Sequence, residues 1–363
     1  MNAPEILFEQ RGQLGLVTLN RPEALNALTY GMVRALDTQL DLWAEDDTIA
    51  VVAIQGAGDK AFAAGGDIRA LYDGGAGGMT GEKNFPFFAD EYRLNVKIKR
   101  YPKPYVAIMD GIVMGGGVGV SIHGSHRIIT ERTMFAMPET GIGLFPDVGA
   151  TYFLPRIFDG SNLGLWVGLT GARIKGPDAA YVLDAVAVPS EKLDTMLDIL
   201  ASDDALNMLV EPGTIECEGQ EEISFPAAWW GDLRQRLDGH VAEIERLFSA
   251  TSIEEVLRRL ADEGTEWATK QRKTILTKSP TSTRIAFRQI REGAKLSFED
   301  CMRLEYRLAR YCMTHPDFYE GVRAVILDKD NAPKWSPASL DEATEAFVAE
   351  AFADLGDEEL DLT

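Results

Sequence analysis

Apolar positions change their spacing about midway along the chain, and the change predicts two kinds of architecture. Near the N-terminus, residues 5–10 and 14–20 are short β-rich runs divided by Arg11-Gly12-Gln13, which predicts a hairpin. Met32, Leu36, Leu40 and Trp43 recur at helical spacing, and Thr29 stands where it caps a helix running to about Ala44. Residues 49–55 form an unbroken apolar run, as expected of a strand covered on both faces. Residues 105–109 form a second such run, reached through a helical stretch around 83–100, and residues 127–130 a third. Strands joined by helical crossovers imply an α/β fold with parallel pairing.

Beyond about Val188 the pattern becomes helix after helix. The predicted helices are 191–201, 232–249, 253–262, 265–277, 281–292, 297–314 and 341–353. Residues 212–219 read as a polar loop, and the acidic residues 354–363 as a frayed tail. The expected organisation is a core over 1–205 followed by a helical region over 206–363.

Composition narrows the function classes. The chain has 363 residues and is 45% hydrophobic, enough for a substantial core. Lys plus Arg is 36 against 57 Asp plus Glu, for a formal charge of −21, which disfavours a nucleic-acid partner. An anionic ligand would have to be met by helix N-termini or a local basic patch. The three cysteines, Cys217, Cys301 and Cys312, form no metal-type spacing and point to a reducing compartment. Residues 1–10 carry Glu5 and Glu9 and no long apolar run, so no leader peptide is expected. No apolar run reaches the roughly 20 residues of a membrane span. The expectation is a cytoplasmic protein with no membrane partner.

Three segments carry candidate chemistry. Lys60-Ala-Phe-Ala-Ala-Gly-Gly-Asp-Ile-Arg69 and Asp110-Gly-Ile-Val-Met-Gly-Gly-Gly-Val-Gly119 each follow an apolar strand and enter a helix-like run. Each is a plain strand–helix turn or a place where a backbone N–H meets a developing negative oxygen. Asp67 stands where it caps the helix beyond it. The second segment is neither a P-loop nor a dinucleotide fingerprint. In the third, Met134-Phe-Ala-Met-Pro-Glu-Thr-Gly-Ile-Gly-Leu-Phe-Pro-Asp-Val-Gly149, Glu139 and Asp147 each follow a proline. Both are either helix-start acids or a carboxylate pair for nucleophilic and acid–base work. The histidines, His123, His126, His240 and His315, complete no metal set or Ser-His-Asp pattern and are expected to be structural.

Together with Asn20-Arg-Pro-Glu-Ala-Leu-Asn-Ala-Leu28, these segments resemble the crotonase (enoyl-CoA hydratase/isomerase) superfamily over roughly residues 4–190. Lys278-Ser-Pro280 is similar to a later family feature. The resemblance implies a spiral of ββα repeats followed by a helical C-terminal region. It implies an acyl-CoA substrate, no resident cofactor or metal, and trimer-based homo-oligomers. Gly66 and Gly116 would donate the oxyanion-hole N–H groups, and Ala64, Asp67 and Ile68 would line the CoA side. Within the superfamily, residues 135–149 and the helical extension most resemble the 3-hydroxyisobutyryl-CoA hydrolases, enzymes of valine breakdown. That subgroup assigns Glu139 and Asp147 to catalysis and Glu91 to substrate contact, against the plainer reading of Glu91 as a solvated helix acid. Hydratases similar to this chain carry a glutamate where Gly119 stands, which weakens hydratase activity and leaves isomerase or hydrolase; the subgroup resemblance makes thioester hydrolysis the expected activity. The alternative is an enoyl-CoA isomerase or hydratase of the same fold.

Overall fold

The alternating apolar runs of the first half pair as strands in two sheets. The computed structural model describes residues 3–75, 81–203, 205–209 and 237–362. Strands β1 (Ile6–Arg11) and β2 (Leu14–Leu19) form the expected antiparallel hairpin. Next along the chain come β3 (Val51–Gly56), β4 (Ala61–Ala64), β5 (Tyr105–Met109), β6 (Ile112–Met114), β7 (His126–Ile129), β8 (Met134–Ala136), β9 (Ile174–Lys175) and β10 (Val186–Ala187). One sheet has the order β1-β2-β3-β5-β7-β10, and every pair after the hairpin is parallel. The other has the order β4-β6-β8-β9, with β4 and β6 parallel.

Read along the chain, β3 then β4, β5 then β6, and β7 then β8 each place one strand in each sheet. These are successive turns of a ββα spiral. The run Val51–Gly56 is apolar because Val51 and Ala53 face one layer while Val52 and Ile54 face another, and all four are fully buried. Leu14, Leu16, Val51, Ala53, Val106, Ile108 and Ile128 pack with Met196, Leu197 and Leu200 of the helix Leu193–Leu200. The helix Tyr30–Glu45 starts at Thr29, whose side chain accepts the Met32 N–H, and buries Met32, Leu36, Leu40 and Trp43 as the spacing predicts.

Two compact units interleave along the sequence. The first comprises Met1–Gly66, Arg93–Phe135 and Arg173–Gly239, and the second Asp67–Tyr92, Ala136–Ala172 and His240–Thr363. The second unit is mostly helical. Its helices Ile253–Glu263, Glu266–Ile275, Pro280–Gly293 and Phe298–Thr314 match the predicted periods, each started by a Ser or Thr side chain.

Two sequence expectations need correction. Residues 341–353 do not form one helix. Arg284 takes the Leu340 and Ala343 carbonyls, so only Glu345–Val348 is α-helical, followed by the 3-10 turn Ala349–Phe352. The acidic end is packed rather than frayed: Arg307 holds Asp354 at 3.2 Å and Glu359 at 2.6 Å, Arg310 pairs with Glu358, and Leu360 is buried. The helix Pro316–Val322 escaped the periodicity. The predicted loop 212–219, Cys217 and the start of the predicted helix 232–249 lie outside the described residues; within the described residues that helix runs Val241–Phe248. Among the described residues, no helix is long and apolar enough to cross a membrane.

Candidate active site

In the first unit, two glycine-rich turns leave adjacent parallel strands at the same level. Ala64 at the end of β4 is the register partner of Met114 at the end of β6. Gly66 and Gly116 each lie two residues beyond that pair. Gly65 has φ +95°, and an added Cβ there would touch nothing within 4 Å, so its requirement is conformational. Gly117 is required for space: a Cβ there would lie 2.3 Å from the Ala63 carbonyl oxygen. Gly116 opens the short helix Gly116–Gly119, where the first N–H groups have no intrahelical acceptor.

The segment Asn20–Leu28 runs beside the first of these turns. Ala64 donates its N–H to the Leu25 carbonyl at 3.0 Å, and Leu28 donates to the Gly65 carbonyl at 2.9 Å. The buried Asn26 amide ties the segment to the Ala57 and Ala61 carbonyls at 2.9 and 2.8 Å.

In the second unit, the acids singled out by sequence come together. Glu91, Glu139 and Asp147 are 2%, 5% and 5% exposed. Glu139 opens a 3-10 turn, Glu139–Ile142, with Pro138 at its cap. Asp147 does not cap a helix with its side chain. The next helix, Ala150–Phe153, has Gly149 at its cap position, and Asp147 Oδ2 instead accepts the Tyr92 hydroxyl at 3.0 Å. Glu91 is not a solvated helix acid, since burial removes that reading. Glu91 Oε1 and Glu139 Oε2 are buried with no hydrogen-bond partner among the described residues. Such orphaned oxygens are costly unless a ligand uses them.

Close packing of acids shifts their protonation. Burial, then the Asp147 and Glu305 charges, lift the Glu91 carboxyl well above the usual carboxylate range. Burial and then Asp147 lift Glu139, opposed by its own backbone N–H and by the Lys278 ammonium. Asp147 is pushed up to about 7 by burial, against the pull of the Tyr92 hydroxyl and its own backbone N–H. Glu305 is pushed up to about 8, chiefly by burial. Asp147 and Glu305 therefore exchange protons around neutral pH, in a cluster where burial and mutual repulsion raise Glu91 and Glu139 as well.

A stability prediction follows from the sign of these shifts. Asp147 has an ordinary value of 3.8 and a folded value of about 7. In that window the folded chain keeps a proton that the unfolded chain has lost, so this contribution to stability falls as pH rises. The denaturant midpoint is expected to decline from about pH 5 to about pH 8, with a shallower slope in Asp147→Asn. Equal slopes in the two proteins would remove Asp147 from the account.

The sequence-predicted residues divide between the units. Ala64, Gly66 and Gly116 belong to the first, and Asp67, Ile68, Glu91, Glu139 and Asp147 to the second. Asp67 caps its own helix, Ile68–Gly75, by accepting the Ala70 N–H at 3.1 Å. Sequence reasoning missed Tyr92 and Glu305. Lys278 stood only within a short motif, whose Ser279 donates its N–H to the Thr140 carbonyl at 3.1 Å and its hydroxyl to Asp317 at 2.6 Å. The motif therefore braces the turn that carries Glu139. His123 and His126 are buried, and His315 stacks on Tyr311. Among the described residues, no group of three or more His, Cys, Asp or Glu side chains could hold a metal ion.

Comparison with known proteins agrees with this architecture. A family model described as enoyl-CoA hydratase/isomerase matches residues 14–352. The mitochondrial 3-hydroxyisobutyryl-CoA hydrolase of Danio rerio is 47% identical over 360 residues, covering 99% of this chain and 92% of that protein. The crystal structure of a carnitinyl-CoA dehydratase from Mycobacterium thermoresistibile is 39% identical with a TM-score of 0.85, covering 99% of each chain. That of an enoyl-CoA hydratase from Rhodobacter sphaeroides is 34% identical with a TM-score of 0.87, covering 99% of this chain and 100% of the other. The expectation of a cytoplasmic protein is overturned, because vertebrate relatives are mitochondrial by name. Spiral, glycine turns and family match agree from end to end: the chain belongs to the enoyl-CoA hydratase/isomerase (crotonase) family.

Proposed function

We propose that the chain hydrolyses 3-hydroxyisobutyryl-CoA, a short branched 3-hydroxyacyl thioester, to the free acid and CoA. The observation that carries this reading is the near-full-length identity to relatives named for that reaction. The buried acids of the second unit supply its chemistry.

The thioester oxygen takes hydrogen bonds from the Gly66 and Gly116 N–H groups, which stabilise negative charge as the carbonyl carbon becomes tetrahedral. Glu139 supplies the attacking electron pair, either directly or through a water that it deprotonates. The C–S bond breaks, and CoA leaves as a thiolate that takes up one proton. Direct attack leaves a mixed anhydride, which water cleaves to return the Glu139 carboxylate. Label from heavy-oxygen water found in Glu139 after a single turnover would establish direct attack, since general-base attack leaves both Glu139 oxygens in place. Glu91, kept protonated by its surroundings, has an O–H for the substrate's 3-hydroxyl, and Asp147 carries the proton. Ala64, Asp67 and Ile68 lie on the CoA side, and CoA is the substrate's own carrier rather than a resident cofactor.

The names of the two solved relatives favour a second reading, addition or removal of water at a carbon–carbon double bond. Such chemistry in this family places a second glutamate where this chain has Gly119, which is buried and has no side chain to offer. A thiol reagent decides between the two. The purified protein is expected to release free CoA thiol from 3-hydroxyisobutyryl-CoA. Consumption of crotonyl-CoA with no thiol released would establish the second reading.

A further inference from the structure

The helix Phe298–Thr314 carries an acid on its apolar stripe. Glu305 is 0% exposed and lies at helical spacing from Cys301, Leu308 and Cys312, which are also buried. Both of its oxygens are engaged: Oε2 accepts the Gly149 N–H at 2.7 Å and Oε1 the Thr151 N–H at 2.8 Å. Those N–H groups belong to the turn that begins at Asp147, in which Val148 has φ +52° and Gly149 φ +91°. Gly149, at the cap position of Ala150–Phe153, has no side chain to satisfy that helix start, so the acceptor comes from a distant helix.

We infer that Glu305 is a positioning residue for Asp147: its carboxylate locks the Val148–Thr151 turn and so holds the Asp147 side chain against the Tyr92 hydroxyl. This rests on the role given to Asp147 above. Two backbone donors aimed at two separate oxygens favour the ionised form. A carboxylate without water is an expensive cap where a Ser or Asn would satisfy a helix start. The groups facing Glu305 are the Asp147 and Glu91 carboxyls, the Tyr92 hydroxyl and, on its own helix, the Cys301 thiol, which Arg156 also faces. A charge at Glu305 raises the proton affinity of Glu91, and a charge at Asp147 raises that of Glu305. Glu305 thus holds the turn that carries Asp147 and raises Glu91.

The test measures CoA release across pH for the parent, Glu305→Gln, Gly149→Ala and Asp147→Asn. Glu305→Gln is expected to lower kcat by about 10–100-fold with KM nearly unchanged, because a misplaced group loses rate rather than affinity. Its alkaline-side limb is expected to move to lower pH, because the negative charge that Glu305 acquires near pH 8 is gone. Gly149→Ala, which strains the same turn without changing charge, is expected to lower kcat and leave the limb in place. Parent-like kcat and limb in Glu305→Gln, whatever its thermal midpoint, would overturn the inference. If Glu305→Gln does not fold, Gly149→Ala decides: a lowered kcat supports the lock, and a parent-like one overturns it. Asp147→Asn separates the two readings. Parent-like activity there removes Asp147's role and this inference with it. Loss there beside a parent-like Glu305→Gln removes the positioning role alone.

Discussion

Glu139→Gln is expected to reduce CoA release from 3-hydroxyisobutyryl-CoA by about a thousandfold or more, with KM changed much less. The amide is close to the acid in shape, so packing of the buried side chain is retained. What is lost is the electron pair that attacks the carbonyl or takes a proton from water. Glu139 Oε2 has no hydrogen-bond partner among the described residues, so its exchange for nitrogen breaks no internal bond. Burial and the Asp147 charge hold the Glu139 carboxyl high, so the variant also removes one member of a repelling set. It is therefore expected to unfold at an equal or higher temperature than the parent. Loss of activity with gain of stability is the signature of an active-site acid rather than a structural one. Thiol-release kinetics and thermal unfolding of the same preparation check both halves. Near-parent turnover in Glu139→Gln would remove this residue from the mechanism.

Gly117→Ala is expected to damage both fold and turnover. The added methyl would meet the Ala63 carbonyl oxygen at 2.3 Å and the Ala63 Cβ at 2.8 Å. The obstacle is mainly backbone, so the helix Gly116–Gly119 has to move away from β4. Overpacking of this kind costs about 1–3 kcal/mol, and more where backbone is the obstacle. The same displacement moves the Gly116 N–H, and loss of one oxyanion donor costs about 100–1000-fold in kcat. Denaturant unfolding together with thiol-release kinetics measures the pair. A variant with parent stability and parent kcat would mean that β4 and the glycine turn are not packed as described.

The parts legible in the sequence were those encoded locally. Thr29, Ser252, Ser279 and Ser297 start their helices with their own side chains, so a window of a few residues contains the whole cause. The two-sided burial of Val51–Gly56 is written in its composition. Gly66, Gly116, Glu139 and Asp147 stood out because each lies in a short segment with its own pattern. What was not legible depends on distant partners. Nothing near Asp147 says that Tyr92 bonds it, and nothing near Leu340 and Ala343 says that Arg284 takes their carbonyls. The tail looked like solvated acid because Arg307 and Arg310 lie far back in the chain. Glu305 did leave a trace: a charge at the spacing of Cys301, Leu308 and Cys312 breaks an apolar stripe, and such a break is a reason to look for a buried acid. Sparse cysteines constrain redox conditions and carry no address, so they could not place the chain in the cell.

The spiral has a combinatorial consequence. After the second strand of each turn, β4, β6 and β8, the chain presents one segment to which the proposed mechanism gives a role: Gly65-Gly66, Gly115-Gly116 and Glu139 in succession. The strands are held by register and apolar packing, while each of these segments sits just past a strand end. One segment can therefore be rewritten without renegotiating the others. A glutamate in place of Gly119 adds a carboxylate to one turn and leaves the Gly65-Gly66 and Glu139 segments as they were. A frame of this kind lets relatives with lyase and hydrolase names descend from common ancestry by small edits at strand ends, with the scaffold itself nearly unchanged.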